Sequence, residues 1–169
     1  MSMLRKHHNL VITVIMLLVT LLLANIPAEA TTVYEGEVTR ISDGDTIRLK
    51  WKGGELKVRL AEIDTPEKRQ PYGQAAKQAL SDMIWGNPVK VIAVDTDRYG
   101  RIIGRLYVHG EYINLKMVAG GHAWVYRKYS RDPAMLDAEN RARAAGIGIW
   151  ALQEDQRIPP WEWRRQQRQ

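Results

Sequence analysis

Two alternating runs around Lys52-Gly53-Gly54 constrain this chain more than any other feature. Ile47, Leu49 and Trp51 alternate with Arg48 and Lys50, and Leu56, Val58 and Leu60 alternate with Lys57 and Arg59. A period of two sends one set to a core face and the other outward. The glycine pair between the runs reads as a hairpin turn. Acidic segments stand at the ends of these strands: Ser42-Asp43-Gly44-Asp45-Thr46 before the first and Ile63-Asp64-Thr65-Pro66-Glu67 after the second. Pairing the strands therefore gathers several carboxylates near one point, with Arg59 just before the second segment. Carboxylates held that way repel one another unless a hard cation or a reaction needs them.

The remaining elements follow in chain order. Val33 to Ile41 reads as a strand that completes a three-strand meander, and Gly36 within it suggests a bulge or a tight bend. Ala75, Ala76, Ala79, Leu80, Met83 and Ile84 form one apolar stripe on a helix from Tyr72 to Trp85. Val89 to Val94 and Arg101 to Val108 read as two further strands. Asn114 can cap a short helix that Gly120-Gly121 ends. Asp132-Pro133 starts another helix, with Gly146 at its C-terminus. Gly148-Ile149-Trp150 is expected to pack back on the core. Residues 153–169, rich in Trp, Arg and Gln, read as a basic tail without fixed order. Five short strands with helices between and after them suit an α+β fold, a five-stranded Greek-key barrel of the oligonucleotide-binding type. Periodicity alone also admits an α+β sandwich.

A length of 169 residues is a prior for one domain, and a net charge of +6 suits contact with nucleic acid or an acidic membrane surface. There is no cysteine. That excludes disulfides, thiolate-bound zinc and a cysteine nucleophile, but does not identify a compartment. Arg5-Lys6-His7-His8, the apolar run Leu10 to Ala24 and Ala28-Glu29-Ala30 follow the layout of a secretory signal peptide. Residues 1–30 are therefore expected to direct export to the periplasm or the medium, with transient membrane contact. An uncleaved N-terminal membrane anchor is the alternative. Cleavage after Ala30 removes two cations and one anion, so +6 becomes +5 and the basic character belongs to residues 31–152 and the tail.

Ca²⁺ takes oxygen ligands from carboxylates and carbonyls. Asp45 and Asp64 can supply carboxylates, and Thr65, held extended by the following proline, can supply its carbonyl. Hydrolysis of a phosphodiester needs charge neutralised on the phosphate oxygens and a water aligned for attack. Arg59 and Arg101 suit the first task, since a guanidinium meets two phosphate oxygens at once. Glu67 suits the second, as general base or as the group that orients the water. Each piece has a plainer reading alone: Asp43-Gly44 as a turn, Thr65-Pro66 as a helix start, Arg59 and Arg101 as solvated side chains. His109 and His122 read as structural.

In combination and in this order, Asp43-Gly44-Asp45-Thr46, Arg59-Leu60, Asp64-Thr65-Pro66-Glu67 and Asp97-Arg98-Tyr99-Gly100-Arg101 resemble the staphylococcal nuclease (thermonuclease) family over about residues 33–150. The resemblance implies a five-stranded oligonucleotide-binding barrel with about three helices. It also implies Ca²⁺-dependent cleavage of DNA and RNA towards 3′-phosphorylated products. On the family's pattern Asp45, Asp64 and the Thr65 carbonyl bind the metal, and Arg59, Glu67 and Arg101 are catalytic. Tyr99 falls where the family places a nucleotide-contacting tyrosine. The tyrosine-rich stretch around Tyr126 and Tyr129 matches only loosely; Tyr129 is the expected second contact, with Tyr126 and ordinary packing as the alternatives. The segment between Glu67 and the first helix is short, so phosphate contacts from a longer loop there do not carry over. A monomer with no obligate protein partner is expected. The alternative function is a non-catalytic nucleic-acid-binding module on the same barrel, which has no need of the acidic and arginine set.

Overall fold

A computed structural model describes residues 31–168, together with Met16; the expected export segment therefore lies outside the described residues, Met16 excepted. The meander is as the alternation requires: β1 Val33–Ile41, β2 Thr46–Trp51 and β3 Gly54–Leu60. Then come β4 Ile63–Asp64, α1 Gly73–Ile84, β5 Pro88–Thr96, β6 Ile102–Val108 and β7 Glu111–Tyr112. After them stand α2 Ile113–Ala119, β8 Trp124–Val125, α3 Pro133–Ala145, two 3₁₀ turns and α4 Pro160–Gln166. Among the described residues no helix is long and apolar enough to cross a membrane.

Strands run in the order β3-β2-β1-β5-β6, and a parallel pairing of β3 with β6 closes the ring. The result is a closed five-stranded barrel with helices around it, the α+β architecture expected from the five strands. Closure removes the sheet edges that would otherwise template aggregation. Ile47, Leu49, Val58, Leu60, Val91 and Leu106 belong to the buried core, which continues through Leu80 and Ile84 of α1, Met117 of α2 and Met135 of α3. A second apolar cluster of Trp124, Ala142, Ile149 and Trp150 lies beside it.

Gly36 is a close approach and not the bulge. A Cβ there would sit 2.0 Å from the Lys50 carbonyl oxygen. The register shift falls further on, between Val38 and Arg40. Asn114 does not cap α2 either. It lies inside the helix, fully buried, and seals the β3–β6 seam. Its Oδ1 accepts the Leu106 N–H at 3.0 Å, while Nδ2 donates to the carbonyls of Ala61 (2.9 Å) and Gly104 (3.3 Å). A buried amide that satisfies three backbone groups holds a seam better than a solvent-facing cap would. The segment 153–169, expected to lack order, instead carries α4. Pro160 at the helix start, Glu162 in the first turn and Arg164 and Arg165 in the last complement the helix ends.

Two acids, one buried and one half-buried, fasten the short pair β4–β8. Glu139 of α3, 1% exposed, accepts the Val125 N–H (2.8 Å) and a bond from Arg127 (2.6 Å). Glu62, in the turn between β3 and β4, has a left-handed backbone at φ 68°. A glutamate tolerates this poorly, so the surrounding bonds must hold it. Its carbonyl accepts the Tyr126 N–H, and its carboxylate accepts bonds from Arg105 (3.1 Å), Tyr112 (2.8 Å) and Ser130 (3.2 Å). Burial alone would raise its pKa, but these donors outweigh it and hold the carboxyl below the ordinary range.

Replacing Asn114 with Ala strands the Leu106 amide in the core, and chemical denaturation is expected to show a loss of about 2–3 kcal/mol. Glu62→Gln is expected to cost about 1–2 kcal/mol at neutral pH. Because the folded pKa of Glu62 is depressed, its contribution is present above the ordinary value of 4.5 and fades as pH falls through the folded value. The gap between wild type and Glu62→Gln, followed by urea titration at several pH values, should therefore narrow in acid.

Candidate active site

The turn before β2 places Asp45, the end of β3 places Arg59, and β4 with the loop after it places Asp64, Thr65 and Glu67. Thr46 is opposite Arg59 in the β2–β3 register, so the guanidinium emerges beside the acidic turn. The Asp45 N–H bonds back to Asp43 Oδ1 at 3.1 Å, and the Asp45 carbonyl accepts the Leu60 N–H. Gly44 lets this turn pack on the second acidic segment: a Cβ there would meet Thr65 Oγ1 at 2.9 Å.

Asp45 and Asp64 are both buried, at 2% and 0% exposed. Arg59 bridges them, with Nη1 at 2.7 Å from Asp45 Oδ1 and Nη2 at 2.7 Å from Asp64 Oδ1. The other Asp45 oxygen accepts the Thr65 N–H at 3.0 Å, and Thr46 Oγ1 donates to Oδ1 at 3.1 Å. Burial pushes the Asp45 pKa up despite the opposing pull of Arg59. Burial also works against the charge on Arg59, but Asp45 and Asp64 outweigh it and hold that guanidinium firmly protonated.

Arg164 completes the cluster, a residue that the sequence reading did not single out. From α4 its Nη2 reaches Asp64 Oδ2 at 2.6 Å, and its Nη1 reaches Asp64 Oδ1 at 3.1 Å and Glu67 Oε1 at 2.7 Å. Burial opposes its charge, and Asp64 and Glu67 overcome that and raise its pKa. The signal that could have found it is the helix-like sequence Pro160-Trp161-Glu162-Trp163-Arg164-Arg165, with a proline start and end charges of the right sign.

A cleft of about 870 Å³ opens over this cluster, and Asp45, Arg59, Thr65, Glu67, Arg101 and Arg164 all line it. The structure brings Asp45, Arg59, Asp64, Thr65 and Glu67 together. It does not bring Arg101 to the carboxylates. Arg101 pairs with Asp97, Nε to Oδ2 at 2.7 Å, within the same cleft. Tyr99 and Tyr129 are well exposed at its wall, and Arg98 and Arg101 lie over the Tyr99 ring. Tyr126 is covered: Trp161 of α4 stacks on it with centroids 5.5 Å apart and planes 7° from parallel. His122 bonds through Nδ1 to the Tyr72 hydroxyl, away from this set.

The donor set fits a hard cation in kind. Two carboxylates converge on one guanidinium, a second guanidinium already takes the position of a cation between Asp64 and Glu67, and all the atoms are oxygen donors. Among the described residues no group of three or more His, Cys, Asp or Glu side chains is arranged to hold a metal. The remaining ligands would therefore come from the backbone, from water and from a bound phosphate.

Comparison with known proteins agrees with this geometry. Residues 57–152 match the model of the staphylococcal nuclease homologue family. A Haemophilus influenzae protein described as an uncharacterized endonuclease is 46% identical over 132 residues, 78% of this chain and 73% of its own. An Escherichia coli protein of the same description is 39% identical over 130 residues, 76% of this chain and 84% of its own. A Shigella flexneri protein described as a micrococcal nuclease is 39% identical over 155 residues, 85% of this chain and 87% of its own. With a closed five-stranded barrel, an acidic cluster bridged by Arg59 and these matches over most of its length, the chain belongs to the staphylococcal nuclease homologue family.

Proposed function

We propose that the protein is a Ca²⁺-dependent nuclease that hydrolyses DNA and RNA towards 3′-phosphorylated products and acts after export. The observation that carries this reading is the bridging of buried Asp45 and Asp64 by Arg59, which with Asp45 lines a tyrosine-walled cleft. A binding barrel has no use for two buried carboxylates, which cost desolvation energy and weaken the hold on phosphate. Asp45, Asp64 and the Thr65 carbonyl would hold the calcium. When bound, calcium would neutralise charge on the scissile phosphate.

The chain's own groups do the rest. Glu67, partly exposed and three residues beyond Asp64, accepts a proton from the water that attacks phosphorus. The new P–O bond forms in line as the bond from phosphorus to the 5′ oxygen breaks. The phosphate stays on the 3′ side, and the 5′ oxygen takes a proton from solvent. Arg59 and Arg101 bind the phosphate oxygens as charge builds on them. For Arg59 this requires exchange of its contacts with Asp45 and Asp64, and for Arg101 a turn away from Asp97. Tyr99 and Tyr129 offer ring faces to the bases. Export rests on the pattern of residues 1–30, and a mature N-terminus at Thr31 would separate a free enzyme from an anchored one.

A non-catalytic nucleic-acid module is the second reading, favoured only by the exposed Tyr99 and Tyr129 faces. One assay separates the two. Purified protein incubated with single-stranded DNA, duplex DNA and RNA should cleave them with calcium and stop in EGTA. Undiminished cleavage in EGTA would overturn the metal assignment, and absence of cleavage under all conditions would leave the binding module. Glu67→Ser should lower kcat by about a hundredfold or more and leave KM nearly unchanged, as removal of a general base does.

A further inference from the structure

Arg164 occupies both carboxylate oxygens of Asp64 and one of Glu67, the groups that the proposed reaction needs free. Asp64, fully buried, is covered by Arg59 and Arg164 and does not line the cleft. The helix that brings Arg164 there is docked at three further points. Trp161 stacks on Tyr126. It also packs on the apolar cluster of Trp124 and Trp150. Just before the helix, the Ile158 carbonyl accepts a bond from Gln70 Nε2, in the loop that follows Glu67. Gln70 also accepts the Glu67 N–H at 3.1 Å, so one side chain connects the general-base loop to the segment leading into α4.

These contacts act in the same sense. A guanidinium with two bonds to Asp64 balances the charge a metal would balance, and the two cannot share those oxygens. The ring of Trp161 covers one face of Tyr126, a face on which a nucleotide base could otherwise stack. Arg168 reaches the same cleft, and Arg165 adds to the charge at this end of the chain. A nucleic-acid backbone is the natural recipient of these cations once they leave the carboxylates.

We propose that α4 is a built-in strap: it closes the site with Arg164 as a substitute cation and Trp161 as a substitute base, and it lifts when metal and nucleic acid enter together. The inference rests on the calcium-nuclease reading of Asp45, Asp64 and Glu67. In the closed chain two guanidinium groups stand against the carboxylates of Asp45, Asp64 and Glu67. Opening exchanges the Arg164–Asp64 and Arg164–Glu67 contacts for metal–carboxylate and arginine–phosphate contacts. Calcium and nucleic acid should then each strengthen the binding of the other, because each pays part of the cost of lifting the same helix.

The test compares full-length wild type with Arg164→Ala and Trp161→Ala, each first checked for a cooperative unfolding transition. Calcium binding is measured by titration calorimetry, and binding of a non-cleavable phosphorothioate oligonucleotide by anisotropy. If the docked helix holds about nine-tenths of the molecules, Arg164→Ala should bind calcium about tenfold tighter than wild type. Trp161→Ala should bind the oligonucleotide more tightly than wild type in calcium. The chain has no cysteine, so Gln167→Cys carries a single fluorophore, and its anisotropy should fall when calcium and oligonucleotide are added to an otherwise wild-type chain. Equal calcium affinity in wild type and Arg164→Ala overturns the strap and leaves the metal site standing. Weaker oligonucleotide binding in calcium by Trp161→Ala overturns it too, and makes Trp161 a substrate contact. Absence of calcium binding in every protein overturns the metal reading and the strap with it.

Discussion

The site depends on Arg59 lying between Asp45 and Asp64. Two carboxylates this deeply buried could not both stay ionised without a partner, and a single guanidinium serves both at 2.7 Å. Removing one member of such a buried set typically costs about 3–5 kcal/mol, since the others are left charged and dry. The barrel is arranged to make the bridge possible. Arg59 is the penultimate residue of β3, where that strand leaves β2 and joins β6 to close the ring. Closure therefore fixes the direction from which the guanidinium enters. The acidic turn before β2 then sits on one side of it, and β4 on the other.

Because β4 has only two residues, the barrel alone cannot hold Asp64 in place. Its precision comes from outside. Glu139 holds β8, β8 pairs with β4, and Glu62 ties the intervening turn to β6, β7 and the loop after β8. Each of these acids is itself satisfied by arginine, hydroxyl or amide donors. The arrangement is that of an acidic cluster supported by a second ring of bonds, the kind of support that fixes side chains to a fraction of an ångström. The left-handed backbone of Glu62 is the local strain that this support carries.

The C-terminal helix adds a second guanidinium to the same acids and a second aromatic to Tyr126. Charge explains why such a short helix stays docked. Seven residues rarely form a stable helix alone, so tertiary contacts must supply the stability. Here they are an ion pair to a fully buried carboxylate and a ring stack above an apolar cluster. Both would be weakened by a competing metal ion or a competing base, so the docking and the proposed chemistry draw on the same atoms.

Much of this was legible in the residues. Alternation set the meander, and glycine and proline set most of the boundaries. The order of the motifs Asp43–Thr46, Arg59, Asp64–Glu67 and Asp97–Arg101 pointed to the family, because local patterns report period and turn chemistry directly. Tertiary packing decided the rest. Asn114 looks like a cap in sequence, yet it seals a seam, because the partner groups of a buried amide come from strands far along the chain. Glu62 and Glu139 look like ordinary charged residues, and only the fold surrounds them with donors. Arg164 lies 100 residues from Asp64 along the chain, a separation at which no spacing rule operates. The sequence by itself supplied the candidate side chains for a cation and a phosphate. Which of them meet, and what stands over them, was decided by ring closure and by the return of the last helix, since both are contacts between distant segments that no local pattern encodes.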